Sequence, residues 1–158
     1  MDNAKEKKLP AFVMPDDSKA YALAERVVWH LLEKNAEDLI VLDMRGRSDV
    51  CDFFVLASGT SDVQVKALAK HAHNALVASG QKPKGLEGME DGRWALLDFF
   101  DVVVHIFHAP ARDYFQLERL WSDAPRLDLG PKWFAADDVA SRHPDLKFTT
   151  AAGADGTD

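Results

Sequence analysis

The chain has 158 residues, of which 47% are hydrophobic, and a formal net charge of -7. That length and apolar content suit one domain with a real core plus spare sequence at the ends. The acidic balance, with a pI near 5.3, argues against broad binding of nucleic acid or anionic membrane, because such affinity comes from Lys and Arg neutralising phosphates; a basic partner is the better match.

Residues 1–16 are charged and Pro-punctuated and read as a flexible arm. Met1 to Lys8 lacks a long apolar segment and carries acids, unlike a signal or transit peptide, and no stretch is long enough to span a bilayer. The single Cys51 can form no internal disulfide and fits a reducing compartment. A cytoplasmic location without membrane attachment is expected.

A helix is expected from Ser18, with Ala20, Leu23, Ala24, Val27 and Leu31 on one face. Leu39 to Leu42 reads as a buried strand and Arg45 to Asp49 as a loop. Phe53 to Ala57 is a second strand, apolar on both faces. It runs into Ser58-Gly59-Thr60-Ser61-Asp62, where Gly59 permits a sharp turn and Ser61 with Gln64 makes a capping box. The helix that follows, Asp62 to Ser79, has Val65, Leu68, Ala69, Ala72, Ala75 and Leu76 at helical spacing on its core face and ends at Gly80. It should cross over to a parallel strand near Lys84 to Glu87. Arg93 to Phe99 and Val102 to Phe107 read as two strands, and Pro110 opens a last helix, Ala111 to Trp121. The whole is an α/β domain over residues 17–121, a mixed sheet of about five strands with packed helices. Residues 122–158 form a partly flexible extension, in which Trp133 and Phe134 would fold back or anchor a partner.

A two-residue loop at Phe100 and Asp101 would pair Phe99 with Val102, Leu96 with His105 and Trp94 with Phe107. One face of this hairpin, Ala95, Leu97, Phe99, Val102, Val104 and Ile106, is wholly apolar and suits the core. The other, Trp94, Leu96, Asp98, Val103, His105 and Phe107, is too apolar for water and too polar for a dry core, the composition of a recognition surface. The alternative is that the first helix or the tail covers it, with Asp98 and His105 paired beneath. On the last helix, Tyr114, Leu117 and Trp121 share one side, with Arg112 and Glu118 close by.

A Gly turn feeding a helix N-terminus can also hold an anion, and Lys66, Lys70 and His73 make a short basic stripe on the same helix. Thr60, Ser61, Lys66 and Lys70 are therefore the candidates for phosphate or RNA contact, against the simpler reading of a capped, solvated helix. No P-loop or dinucleotide fingerprint is present. His71 and His73, two apart on a helix, cannot face one ligand, and His30, His105 and His108 have no partner at a recognised spacing, so no metal site is expected. Burial should raise the Cys51 thiol pKa and leave it inert.

Several separated motifs resemble the ribosomal silencing factor, or Iojap, family: Asp52-Phe53-Phe54-Val55, then Ala57-Ser58-Gly59-Thr60-Ser61-Asp62, Gln64-Val65-Lys66-Ala67 and Glu87-Gly88. Trp94, Leu97-Asp98, Asp101 to Phe107, and Arg112, Tyr114, Leu117-Glu118 and Leu120-Trp121 complete the resemblance. It implies a fold like that of nucleotidyltransferases, no enzymatic activity and no cofactor. The implied function is binding of the large ribosomal subunit through the fourteenth large-subunit ribosomal protein, which blocks subunit joining and represses translation when nutrients run short. Trp94, Leu96, Asp98, His105, Arg112, Tyr114, Glu118 and Trp121 form the interface so implied. A minor ribosomal RNA contact and a homodimer are further expectations. The rivals are a role in large-subunit assembly and a nucleotidyltransferase-like enzyme or nucleotide-binding protein. The enzyme reading lacks its Asp-x-Asp pair after the Gly turn. The family usually has glycine where this chain has Phe100.

Overall fold

The computed structural model describes residues 18–128 and residue 143. The arm at 1–16 and the aromatic pair Trp133 and Phe134 lie outside the described residues. The chain divides into two compact units, Met1–Asp128 and Leu129–Asp158, and the first holds every described strand.

Helix α1, Lys19–Glu33, begins where Ser18 accepts a hydrogen bond from the Tyr21 amide. Strands β1, Glu37–Asp43, and β2, Phe53–Gly59, pair antiparallel. Helix α2, Asp62–Ala78, leads to the three-residue strand β3, Gly85–Glu87. Strands β4, Trp94–Asp98, and β5, Val102–His108, form the hairpin. Two short helices, α3, Ala109–Phe115, and α4, Leu117–Leu120, precede strand β6, Arg126–Asp128. The sheet order is β3-β4-β5-β2-β1-β6. Only β2 and β5 pair in parallel among the described strands, so the sheet is mixed, as expected.

Each face of this sheet has its own cover, because side chains alternate along every strand. Phe53, Val55 and Ala57 of β2 lie level with Val102, Val104 and Ile106 of β5, and all six are fully buried. Helices α1 and α2 pack on that face, where Tyr21 meets the Phe53 ring edge-on at 5.9 Å. Their periodic apolar residues, including Val27, Leu31, Val65, Leu68 and Leu76, complete the main core. Ile40, Leu42, Leu56, Val103 and Phe107 gather on the opposite face with Ala111 and Ala124.

Four expectations need amendment. Beyond Trp121 the chain adds a sixth strand, β6, to the free edge of β1. The β3 strand is parallel in direction to β2 but lands at the far edge, where it pairs antiparallel with β4. The expected helix 111–121 is broken at Gln116, which adopts a left-handed backbone with φ 48° and ψ 51°. The capping box is displaced by one residue: Ser61 Oγ accepts from the Gln64 amide, while the Gln64 carboxamide accepts from Thr60, not from Ser61.

Candidate partner-binding face

The hairpin register follows from alternation: Trp94 lies opposite Phe107, Leu96 opposite His105 and Asp98 opposite Val103. This sends Trp94, Leu96, Asp98, His105 and Phe107 to the face away from α1 and α2. The tight connection closes through bonds from the Phe99 amide to the Val102 carbonyl and from the Asp101 amide to the Phe99 carbonyl. Phe100 takes the glycine-like φ of 72°.

Rings meet in an unbroken series across this face. Tyr114 touches Phe115 at 5.1 Å between centroids, and Phe115 touches Trp94 at 4.8 Å. Trp94 lies 4.8 Å from Phe107 and 5.9 Å from His105. His105 meets Phe54 edge-on at 4.7 Å, and Phe54 meets Trp121 at 6.2 Å. One end of the series is open to solvent: Tyr114 is 79% exposed, and Leu120, beside Trp121 in the chain, is 73% exposed. Trp94, Leu96, Phe54, Leu117 and Trp121 are half-buried, packed over the second core. The face is thus partly covered, by α3, α4 and Trp121 and not by α1.

His105 is the polar centre of this apolar surface. Its Nδ1 accepts the Trp94 indole N–H at 3.1 Å. Since indole can only donate, the neutral imidazole keeps its proton on Nε2. That Nε2 is buried without a hydrogen-bond partner, and burial pulls the ring pKa down to about 4. Asp98 does not pair with His105; its carboxylate accepts from the Phe100 amide at 2.8 Å.

Arg112 and Glu118 are placed differently from Tyr114. Arg112 is buried, donating through Nη1 to the Asp38 carbonyl at 2.7 Å and to Ser58 Oγ at 2.8 Å. Its Nε and Nη2 both reach Glu118 Oε2. The guanidinium therefore ties α3 and α4 to β1 and β2, and positions the aromatic face from within. A cleft of about 660 Å³ opens beside it, lined by charges of both signs, among them Asp38, Asp113, Arg119 and Arg126.

At the start of α2 the turn's own side chains occupy its donors. Thr60 donates through N and Oγ1 to Gln64, Val63 N to Asp62, and Gln64 N to Ser61. Lys66 and Lys70 stand one turn apart further along the helix. The Cys51 thiol is buried, and burial together with nearby Asp52, Asp98 and Asp101 pushes it up to about 12. No described helix is long and apolar enough to cross a membrane.

The sequence singles out Trp94, His105, Tyr114 and Trp121 but not Phe54 and Phe115, which the ring contacts add to this surface. Phe54 was hidden because a strand buried on both faces gives no alternation to read. Phe115 comes into play because the bend at Gln116 ends α3 there.

The sequence profile described as "ribosomal silencing factor during starvation" matches residues 16–155. A curated relative from Bacillus subtilis, "Ribosomal silencing factor RsfS", is 46% identical over 97 residues, covering 61% of this chain and 82% of its own. A crystal structure of a Chromobacterium violaceum protein superposes with a TM-score of 0.65 at 33% identity, covering 66% of this chain and 88% of that one. A Bacillus halodurans crystal structure does so with a TM-score of 0.61 at 40% identity, covering 68% and 97%. Together with the motifs in register along the sheet, these similarities establish that the chain belongs to the ribosomal silencing factor (RsfS/Iojap) family, a family of non-enzymatic ribosome-binding factors.

Proposed function

We propose that this chain binds the large ribosomal subunit through the aromatic face of the β4–β5 hairpin and α3, docks on the fourteenth large-subunit ribosomal protein, and excludes the small subunit sterically. Translation would then fall when nutrients are short. The observation that carries this reading is the ring series from Tyr114 to Trp121, which leaves large apolar side chains open beside a half-buried tryptophan. Such a centre, with aromatic anchors and Glu118 at its edge, has the composition of an interface hot spot. The net charge of -7 favours a basic partner. No covalent step is required, since occupying the joining surface is enough.

Tyr114→Ala is a cleaner test than Trp94→Ala, because Trp94 also holds His105 whereas Tyr114 projects from the surface. Loss of this exposed aromatic anchor is expected to weaken large-subunit binding by about 2 kcal/mol, roughly 30-fold. Co-sedimentation with isolated large subunits, small subunits and joined ribosomes measures this directly. Selective pelleting of wild type with large subunits, inhibition of joining, and failure of folded Tyr114→Ala would support the reading. Wild-type affinity in that variant, or no selectivity for the large subunit, would reject it. A steep salt dependence lost on Lys66→Glu with Lys70→Glu would add ribosomal RNA contact at α2.

A further inference from the structure

On the opposite side of the sheet, the packing of α1 against α2 brings together three groups that look unrelated in sequence. Glu33 Oε1 lies 2.9 Å from His30 Nδ1, one turn back on α1, and 2.9 Å from His71 Nε2 on α2. The two imidazoles meet nearly perpendicular, with centroids 5.8 Å apart. One donor atom from each of the three residues lies within 4.8 Å of the others. Spacing along the chain offers no ligand set for His30, because the second imidazole, His71, lies on another helix and is brought to Glu33 only by packing.

We propose that His30, Glu33 and His71 form a binding site for a zinc-type divalent cation that pins α1 to α2. Two imidazole nitrogens and one carboxylate oxygen are the donor set zinc prefers, whereas magnesium and calcium favour oxygen alone. Ligand bonds of about 2.0–2.2 Å around a tetrahedral ion place neighbouring donors about 3.3–3.6 Å apart, a modest expansion from the present 2.9 Å contacts to Glu33. In the metal-free arrangement both imidazoles can donate to the same carboxylate oxygen. On binding, the cation takes the place of those two protons, and each ring carries its proton on its other nitrogen. Burial lowers the His30 pKa, so the ring is held in the neutral form that ligates. Burial alone would raise the Glu33 pKa, but the hydrogen bonds from His30 and His71 outweigh it and leave the carboxyl ionised below its ordinary value. The His71 and Glu33 side chains are 29% and 36% exposed, which gives a cation a route in and leaves a fourth position for water. His73, two residues on, is turned to Asn74 and takes no part.

Calorimetric titration of the full chain with Zn²⁺ tests the site, with Mg²⁺ as the contrasting ion. One Zn²⁺ per chain is expected, with a higher melting temperature that EDTA reverses. His71→Ala and Glu33→Ala should each weaken binding by about 100-fold or more, since loss of an outer partner alone costs roughly 10- to 100-fold. His73→Ala should bind as wild type does. Both ligand substitutions lie at accessible positions, and circular dichroism will show that the folds are kept. No Zn²⁺ binding by wild type below about 100 µM, equal affinity in His71→Ala and Glu33→Ala, or equal loss in His73→Ala would overturn the proposal.

Discussion

The indole N–H of Trp94 and Nδ1 of His105 are joined at 3.1 Å across the β4–β5 hairpin, and this bond fixes the tautomer of a buried histidine. Its consequence is a pH dependence of known sign. The ring titrates near 4 in the folded chain against an ordinary 6.5. Between those values the unfolded chain holds a proton the folded chain does not, so stability rises with pH through that window and is lost as pH falls. The effect is about 3 kcal/mol between pH 7 and pH 4. Urea unfolding of wild type and His105→Gln at both pH values checks it: the wild type should lose more stability on acidification, by about that amount, and parallel losses would refute the assignment.

Arg112 should behave as a structural pin. Arg112→Met removes the partner of Glu118 and leaves the Asp38 carbonyl and Ser58 hydroxyl without their donor. A destabilisation of about 3 kcal/mol is expected. A double-mutant cycle with Glu118→Gln should show coupling between the two side chains, and additive losses would count against their pairing.

The strained turn at Phe100 offers the reverse effect. Phe100 is 54% exposed and holds φ at 72°, a conformation costing a non-glycine residue about 1 kcal/mol. Its ring stacks loosely with Lys84 at 5.9 Å, an exposed contact with little to set against that strain. Phe100→Gly is expected to stabilise the domain by about 1 kcal/mol, visible as a raised denaturant midpoint with unchanged slope.

Two glycines with the same backbone angle should respond differently to alanine. Gly88 has φ 83°, and a Cβ there would lie 2.0 Å from the Trp94 carbonyl oxygen. Gly46 has φ 82° with nothing within 4 Å. Gly46→Ala should cost only the left-handed penalty of about 1 kcal/mol, while Gly88→Ala must also displace the start of β4 and should cost about 3 kcal/mol or more. Equal midpoints in chemical denaturation would contradict this contrast.

The hairpin and both long helices were legible because periodicity and caps are local signals. Ala95, Leu97, Val104 and Ile106 alternate with Trp94, Leu96 and His105, and Ser18 and Ser61 mark their helix starts. What local pattern could not carry was partner choice at a distance. Gln116 adopts its left-handed bend with no glycine to announce it. Arg112 looks like a surface arginine until Asp38 and Ser58 close over it. The strand β6 is too short to show a period, and only pairing with β1 defines it.

The pairing of β2 with β5, the one parallel pairing among the described strands, also governs the order in which a newly made chain can assemble. The β1–β2 and β4–β5 hairpins each close over short connections, at small entropic expense. Joining them brings Phe53 beside Val102, a distant encounter that chains make slowly. During synthesis the centre of the sheet stays open until β5 has emerged, so Phe53, Val55 and Ala57 spend that interval with one edge of their strand unpaired. Protease resistance at β2 should accordingly appear late, only in nascent chains that extend past His108.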